Sequence, residues 1–371
     1  MTRMMQLKTL LAEHTMPSAP ELVRTGPDGT VQCFACGHRC TVQVGRTGVC
    51  RVRFNEDGVL RTPAGYVSSV QADPIEKKPF FHAFPGRNAL SFGMLGCDFH
   101  CSYCQNWITS QTLRDDRAVT RPHFTTPKQL VDVAVEHGAP VMVSTYNEPL
   151  ITCDWAVEVF KPARARGIVC GFVSNGNATP EALEFIRPYV DLYKIDLKTF
   201  NDKQYRRLGG VLDNVLDTIR RAHAMGFWVE VVTLLVPGFN ESDEEIAQMA
   251  EFLAGVSVDI PWHVTAFHPD FKMVHIGRTP AQTLARAYDL GRRAGLRYVY
   301  AGNLPGSLPH LEDTLCSECH TTLIRRTGFY VGQNVMVDGC CPSCQARIPG
   351  VWEKNPPGRS KSFGIPQLVH L

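Results

Sequence analysis

The sequence has no apolar run of membrane-spanning length. Its best candidate, Phe227 to Val236, carries Glu230 and stops at Pro237-Gly238. It has no secretory h-region either, because the short apolar stretch Leu7 to Ala12 contains Lys8 and ends at Glu13. Charge of one sign is also missing. With 38 Lys and Arg against 36 Asp and Glu, the formal net charge is +2, too small to argue for an anionic membrane, nucleic acid or a strongly acidic partner. Low-complexity segments are absent. Together these absences lead us to expect a cytoplasmic protein without membrane contact, for which nucleic acid is an unlooked-for partner. Apolar content of 44% and charged content of 20% over 371 residues describe an ordinary globular chain, long enough for one large core and one or two small modules.

What the chain does have is cysteine, fourteen in all, and mostly in groups. Cys33, Cys36, Cys40 and Cys50 form the first group, Cys97, Cys101 and Cys104 the second, and Cys316, Cys319, Cys340, Cys341 and Cys344 the third; Cys153 and Cys170 stand alone. Spacings of C-x2-C and C-x3-C favour metal over disulfides, because neighbouring thiolates converge easily on one centre.

Between the first and last groups the pattern alternates. Candidate strands are Ala89–Leu95, Pro140–Thr145, Ile168–Ser174, Asp191–Ile195, Phe227–Leu235, Trp262–Phe267 and Arg297–Ala301. Amphipathic stretches lie between them: Pro127–His137, Asp154–Arg166, Pro180–Arg187, Asp213–Met225, Ser242–Leu253 and Pro280–Ala294. Pro127 and Pro180 each follow a threonine, the arrangement of N-cap and first helical residue. Repeated β-α units of this length predict an α/β fold, a parallel sheet with helices outside, as an open sheet or a barrel. Residues 1–85 then form an N-terminal four-cysteine module and connector, 86–305 the β-α region, and 306–371 a C-terminal module with a Pro- and Gly-containing end.

Gly96-Cys97-Asp98-Phe99-His100-Cys101-Ser102-Tyr103-Cys104 directly follows the first strand. A C-x3-C-x2-C loop can hold three irons of a cubane and leave the fourth open to a small molecule. S-adenosylmethionine (SAM) suits that iron through its amino and carboxylate groups, and one cluster electron would cleave it to methionine and a 5′-deoxyadenosyl radical that abstracts hydrogen. The alternative is a zinc site completed by a fourth ligand such as His100, but structural zinc sites usually show two paired ligands. The loop after a barrel strand is also where such a fold places its active site.

At these residues the chain resembles the radical SAM superfamily. Within it, the likeness is to the radical SAM enzyme of the AmmeMemoRadiSam system, with pyruvate formate-lyase activating enzymes as more distant relatives. The segments that carry the likeness are Cys33 to Cys50, Asp73-Pro74-Ile75-Glu76-Lys77-Lys78-Pro79, the cluster loop with Gln105-Asn106-Trp107, and the later strand ends. The resemblance implies a partial (β/α)6 TIM-like barrel with small cysteine-rich modules at both ends. It makes Cys97, Cys101 and Cys104 the catalytic cluster ligands and places Tyr103 near adenine. It further implies that Glu148, in Thr145-Tyr146-Asn147-Glu148-Pro149, accepts hydrogen bonds from the SAM amino group. Ser174 and Asn175 would lie on the ribose side, Asp196 and Lys198 would face SAM and substrate, and His268 would sit near the adenosyl end. Two departures stand out: the glycines that precede the family's Glu-Pro are absent, and Val173 stands where activating enzymes carry an acidic residue. Each site residue also has a plainer reading, with Glu148 and Asp196 as helix-capping acids and Lys198 as a surface charge. Lys77 and Lys78 read as solvated, with room for a docking role.

Cys316-x2-Cys319 and Cys341-x2-Cys344 read as a zinc ribbon, with an auxiliary iron–sulfur cluster as the rival and Cys340 as a substitute or bystander. Cys33, Cys36, Cys40 and Cys50 fit zinc or a second cluster, and the reading leans to zinc. The expected function is radical chemistry with SAM on an unidentified substrate. Expected partners are a one-electron donor such as flavodoxin or ferredoxin, together with Memo-like and AMMECR-like proteins. Glycyl-radical enzyme activation is the second enzymatic reading. A zinc-ribbon nucleic-acid module is the non-enzymatic one, and the near-zero net charge counts against it.

Overall fold

The computed structural model describes residues 3–354, 364–365 and 367–369. Seven parallel strands lie side by side in sequence order: β1 (Asn88–Gly93), β2 (Val141–Ser144), β3 (Val169–Ser174), β4 (Leu192–Asp196), β5 (Trp228–Leu235), β6 (Trp262–Ala266) and β7 (Val299–Gly302). Helices α1 (Pro127–Glu136), α2 (Cys153–Ala165), α3 (Pro180–Ile186), α4 (Asp202–Leu208), α5 (Leu212–Ala224), α6 (Asp243–Val256) and α7 (Ala281–Arg293) fill the crossovers. Six β-α units and a last strand therefore make a partial barrel. Among the described residues β1 and β7 do not pair, so the sheet stays open.

Local chemistry sets the helix ends. Thr126 and Gln129 form a reciprocal capping box ahead of α1. Thr179 Oγ1 accepts from Ala182 N at 3.0 Å ahead of α3, and Ser242 Oγ from Glu245 N at 3.2 Å ahead of α6. Gly295, at φ +101°, turns the chain out of α7. Helix α4 was not expected. It is seven residues long and buries only Tyr205 and Leu208, too short for an apolar period to show.

The cysteine-rich ends are built onto this barrel. Ser69–Pro74, within the stretch read as connector, pairs antiparallel with β1 and extends the sheet, and Gln367–Leu368 pairs with it in turn. Two small three-stranded sheets precede it. Arg53 fastens them to the barrel: its fully buried guanidinium pairs with Asp154 at the start of α2 and donates to Ile151 O at 2.8 Å and Ser18 Oγ at 3.0 Å. The C-terminal module is a three-stranded antiparallel sheet, Thr314–Leu315, Thr322–Thr327 and Tyr330–Asn334. Its Leu323, Ile324 and Val331 share one apolar cluster with Phe81 of the connector and with Tyr298 and Tyr300 of the barrel. Most of the Pro- and Gly-containing end lies outside the described residues. None of the described helices is long and apolar enough to cross a membrane.

Candidate active site

In a strand, alternate side chains face the same way. That period puts Lys194 and Asp196 of β4, Val232 and Leu234 of β5, His263 and Thr265 of β6, and Tyr300 and Gly302 of β7 on the inner face. The register aligns them in rows, with Val173 beside Lys194, Asp196 beside Val232, Val232 beside His263 and His263 beside Tyr300. They enclose a cavity of about 800 Å³. Cys101, Tyr103 and Cys104 of the loop after β1 form its wall at one end, and Thr327, Gly328 and Phe329 of the C-terminal module line it as well.

Of the sequence candidates, the structure brings Cys101, Tyr103, Cys104, Asp196, Lys198 and His268 to this cavity, while Cys97 does not line it. Tyr103 is buried against Phe239, ring centroids 5.4 Å apart, and its hydroxyl has no hydrogen-bond partner. Asp196 receives Lys198 Nζ at 3.1 Å and is also paired with Lys194. Burial opposes its charge, but the two lysines outweigh it and hold the carboxyl down at about 2. His268 Nδ1 accepts from Gln105 Nε2 at 2.8 Å.

Glu148, Ser174 and Asn175 do not line the cavity; they form a buried network with Asp98. Glu148 accepts from Ser174 Oγ at 2.7 Å, Asn175 N at 2.7 Å and Leu150 N at 3.0 Å, the last of which caps the short turn Pro149–Thr152. Burial, with Asp98 adding like-charge repulsion, pushes Glu148 up to about 8. Asn175 and Asn177 donate to Asp98 at 2.7 and 2.8 Å, and Asn175 Nδ2 lies 3.9 Å from Cys97 Sγ. The network thus braces the cluster loop from behind.

One reading is corrected. Lys78 is not solvated: its side chain is 3% exposed, it pairs with the buried Asp73, and it lines the cavity together with Lys77. Where the family has glycines before its Glu-Pro, Tyr146 here takes the left-handed conformation at φ +67°. Its ring lies under Lys78 Nζ at 4.3 Å, and its hydroxyl donates to Asp73 at 2.5 Å while accepting from Lys78 at 2.8 Å. Sequence reasoning also missed Lys194, His263 and Glu230. Glu230 is fully buried and accepts from Phe81 N, His82 N, Trp228 Nε1 and His263 Nε2 at 2.7 to 3.0 Å. The available signal was charged residues at alternate positions in strands otherwise buried on both faces.

The cluster loop suits an iron–sulfur group. Burial pushes the thiols of Cys97, Cys101 and Cys104 up, Cys101 to about 12, and the cations of a cluster supply the positive charge that thiolates need at such positions. Cys101 and Cys104 open onto a space large enough for a small molecule. Among the described residues, one group of three or more metal-binding side chains gathers its ligand atoms within 4.8 Å: Cys316, Cys319, Cys341 and Cys344. Cys316–Cys344 and Cys319–Cys341 sulfurs lie 3.6 Å apart. Cys340 stands outside this group, and neither the loop cysteines nor Cys33, Cys36, Cys40 and Cys50 gather so closely.

A cysteine loop after the first strand of a partial β/α barrel, opening onto an inner cavity, defines a cluster-bearing barrel enzyme. Residues 93–253 match the radical SAM superfamily. An uncharacterized protein of Methanocaldococcus jannaschii is 35% identical over 304 residues, 81% of this chain and 89% of the relative. The pyruvate formate-lyase-activating enzyme of Staphylococcus aureus is 25% identical over 245 residues, 61% of this chain and 92% of the relative. A radical SAM methyltransferase structure from Sphaerobacter thermophilus superposes with a TM-score of 0.45 at 17% identity, covering 82% of each chain. The chain belongs to the radical SAM superfamily. It is a radical SAM enzyme related to pyruvate formate-lyase activating enzymes, and the family implies a [4Fe–4S] cluster and SAM.

Proposed function

We propose that this enzyme works on a substrate held in the barrel cavity, as the radical SAM member of an AmmeMemoRadiSam-type system. When bound at Cys97, Cys101 and Cys104, the cluster and SAM supply a 5′-deoxyadenosyl radical that abstracts hydrogen. The observation that carries the reading is the opening of Cys101 and Cys104 onto the cavity that Tyr103, Asp196, Lys198 and His268 also line. Tyr103 would pack on the adenine, and its unpartnered hydroxyl would bond the cofactor. Asp196, held ionised by two lysines, would accept hydrogen bonds from SAM hydroxyl or amino groups, while Lys198 fixes its orientation. The Glu148 network would hold the loop in place.

The C-terminal cysteines are read as a structural zinc ribbon, since sulfur separations of 3.6 Å suit four thiolates around one tetrahedral ion. A flavodoxin or ferredoxin would deliver the electron, and Memo-like and AMMECR-like proteins would be the partners. Glycyl-radical enzyme activation is the second reading, favoured by the likeness to the Staphylococcus aureus enzyme. Adjacent genes encoding a glycyl-radical enzyme would select it; Memo- and AMMECR-like genes would select the first.

The test is iron, sulfide and zinc analysis of anaerobically purified protein, then dithionite reduction with SAM and assay for 5′-deoxyadenosine. About four irons, one or two zincs and 5′-deoxyadenosine support the reading. A reconstituted protein that binds no iron and makes no 5′-deoxyadenosine overturns it.

A further inference from the structure

The cavity wall carries two ion triads of the same composition. Asp73, fully buried, is shared by Lys77 and Lys78, and Asp196 by Lys194 and Lys198. All four lysines line the cavity. Each triad therefore holds one positive charge more than its carboxylate cancels. The surplus sits in poorly solvated surroundings, since the Lys78 and Lys194 side chains are 3% and 6% exposed. Burial, opposed by Asp73, pulls Lys78 down to about 8, and Lys194 adds like-charge repulsion. Buried charge without a counter-charge is costly, and a matching anion removes that cost.

The nearby acids are already engaged elsewhere. Glu76 lies 3.7 Å from Arg326 and accepts from Gly86 N. Glu312 accepts from Gly328 N at 2.8 Å on the C-terminal module. Glu230 is saturated by its four donors. Lys198, bonded to Asp196 at 3.1 Å, is taken up by the residue proposed to hold SAM. Lys78 and Lys194 remain for the substrate.

We propose that the substrate is a small molecule bearing an oxyanion, a carboxylate or a phosphate, seated between Lys78 and Lys194. This rests on the radical SAM reading above and names the substrate class of the same cavity, whose volume is that of a small-molecule site. It also gives Lys77 and Tyr146 a positioning role, because Asp73 joins both to Lys78.

The experiment uses the full-length, anaerobically reconstituted enzyme already loaded with SAM, so that the cofactor's own carboxylate is in place. Inorganic phosphate and malonate are titrated calorimetrically at constant ionic strength. The wild type is expected to bind at least one, phosphate alone indicating a phosphoryl group and malonate alone a carboxylate. Lys78→Met and Lys194→Met are each expected to weaken binding by about 10- to 100-fold, the loss typical of a charged hydrogen bond, with iron and zinc content unchanged. The Lys→Arg variants should stay within a few-fold. A wild type that forms 5′-deoxyadenosine on reduction yet binds neither anion overturns the proposal, as do Met variants of full iron content that bind normally. Failure to form 5′-deoxyadenosine would instead strike the radical SAM reading and leave the anion titration informative. If the Met variants do not fold, a crystal of the wild type soaked with the tighter anion decides: the anion lies within hydrogen-bond distance of both Nζ atoms, or the proposal fails.

Discussion

Tyr146 shows how one side chain replaces what glycine does by default. A tyrosine at φ +67° is strained, and it stays there because its hydroxyl is fixed between Asp73 and Lys78 and its ring lies under the ammonium. Tyr146→Phe removes that anchor and leaves two buried charged groups each one hydrogen bond short. Urea denaturation should show a loss of about 1–3 kcal/mol; an unchanged midpoint would mean that the strain is held elsewhere. Cys101→Ala tests the other end of the cavity. It should abolish cluster binding and 5′-deoxyadenosine formation while zinc content stays at the wild-type level, because the ribbon cysteines form their own group. The cluster loop was legible in sequence because its chemistry depends on near-neighbour spacing. Lys78, Lys194 and His263 were not, because only the folded chain brings a turn before β1 and the inner faces of β4 and β6 to one cavity.

The strands and helices themselves were largely legible. All seven parallel strands and six of the seven crossover helices match the alternating pattern within a few residues, since the apolar strand runs and capped helices are local features. Two elements that were missed differ in cause: α4, capped locally by Asn201 and Gly209, is too short for a period to show, whereas the antiparallel Ser69–Pro74 depends on its partner strand. Ser69–Pro74 has a ladder only because β1 lies beside it. The end of β1 also carries a constraint no pattern shows. A Cβ on Gly93 would collide with the backbone oxygen of Thr145 and come within 2.8 Å of Tyr146 Cβ. Since backbone cannot swing away as a side chain can, Gly93→Ala must push the start of the Thr145–Glu148 turn off β1. A cost of about 1–3 kcal/mol is expected from such overpacking, with weaker retention of the cluster during reconstitution, because Glu148 N bonds back to Gly96 O in the cluster loop. Wild-type stability and iron content in this variant would show that the turn has slack.

At the scale of the whole molecule, the C-terminal module is joined to the barrel by a polar relay as well as by shared apolar packing. Arg326 Nη1 donates to Thr314 Oγ1 at 2.7 Å, and Thr314 and Tyr300 hydroxyls lie 2.9 Å apart. Tyr300 reaches His82 Nε2 at 2.7 Å, and His82 Nδ1 lies 2.7 Å from Pro349 O. A carbonyl only accepts, so His82 carries its proton on Nδ1 and Nε2 accepts from Tyr300; every hydroxyl in the chain then gives one hydrogen and takes one. This arrangement needs neutral His82. Burial, aided by Arg326 and His263 and opposed by Glu230, pulls its pKa down from 6.5 to about 4. Between those values the unfolded chain binds the proton more readily than the folded one, so stability rises with pH across that window and is lost as pH falls through it. Going from pH 7 to pH 5 should cost about 2 kcal/mol through this residue alone. His82→Gln, which cannot take up the proton, should be less stable than the wild type at pH 7 yet lose less on acidification. Urea titrations of both proteins at the two pH values measure the difference. Parallel losses would show that acid acts through the zinc and cluster thiolates instead, and that His82 is a packing residue at this joint.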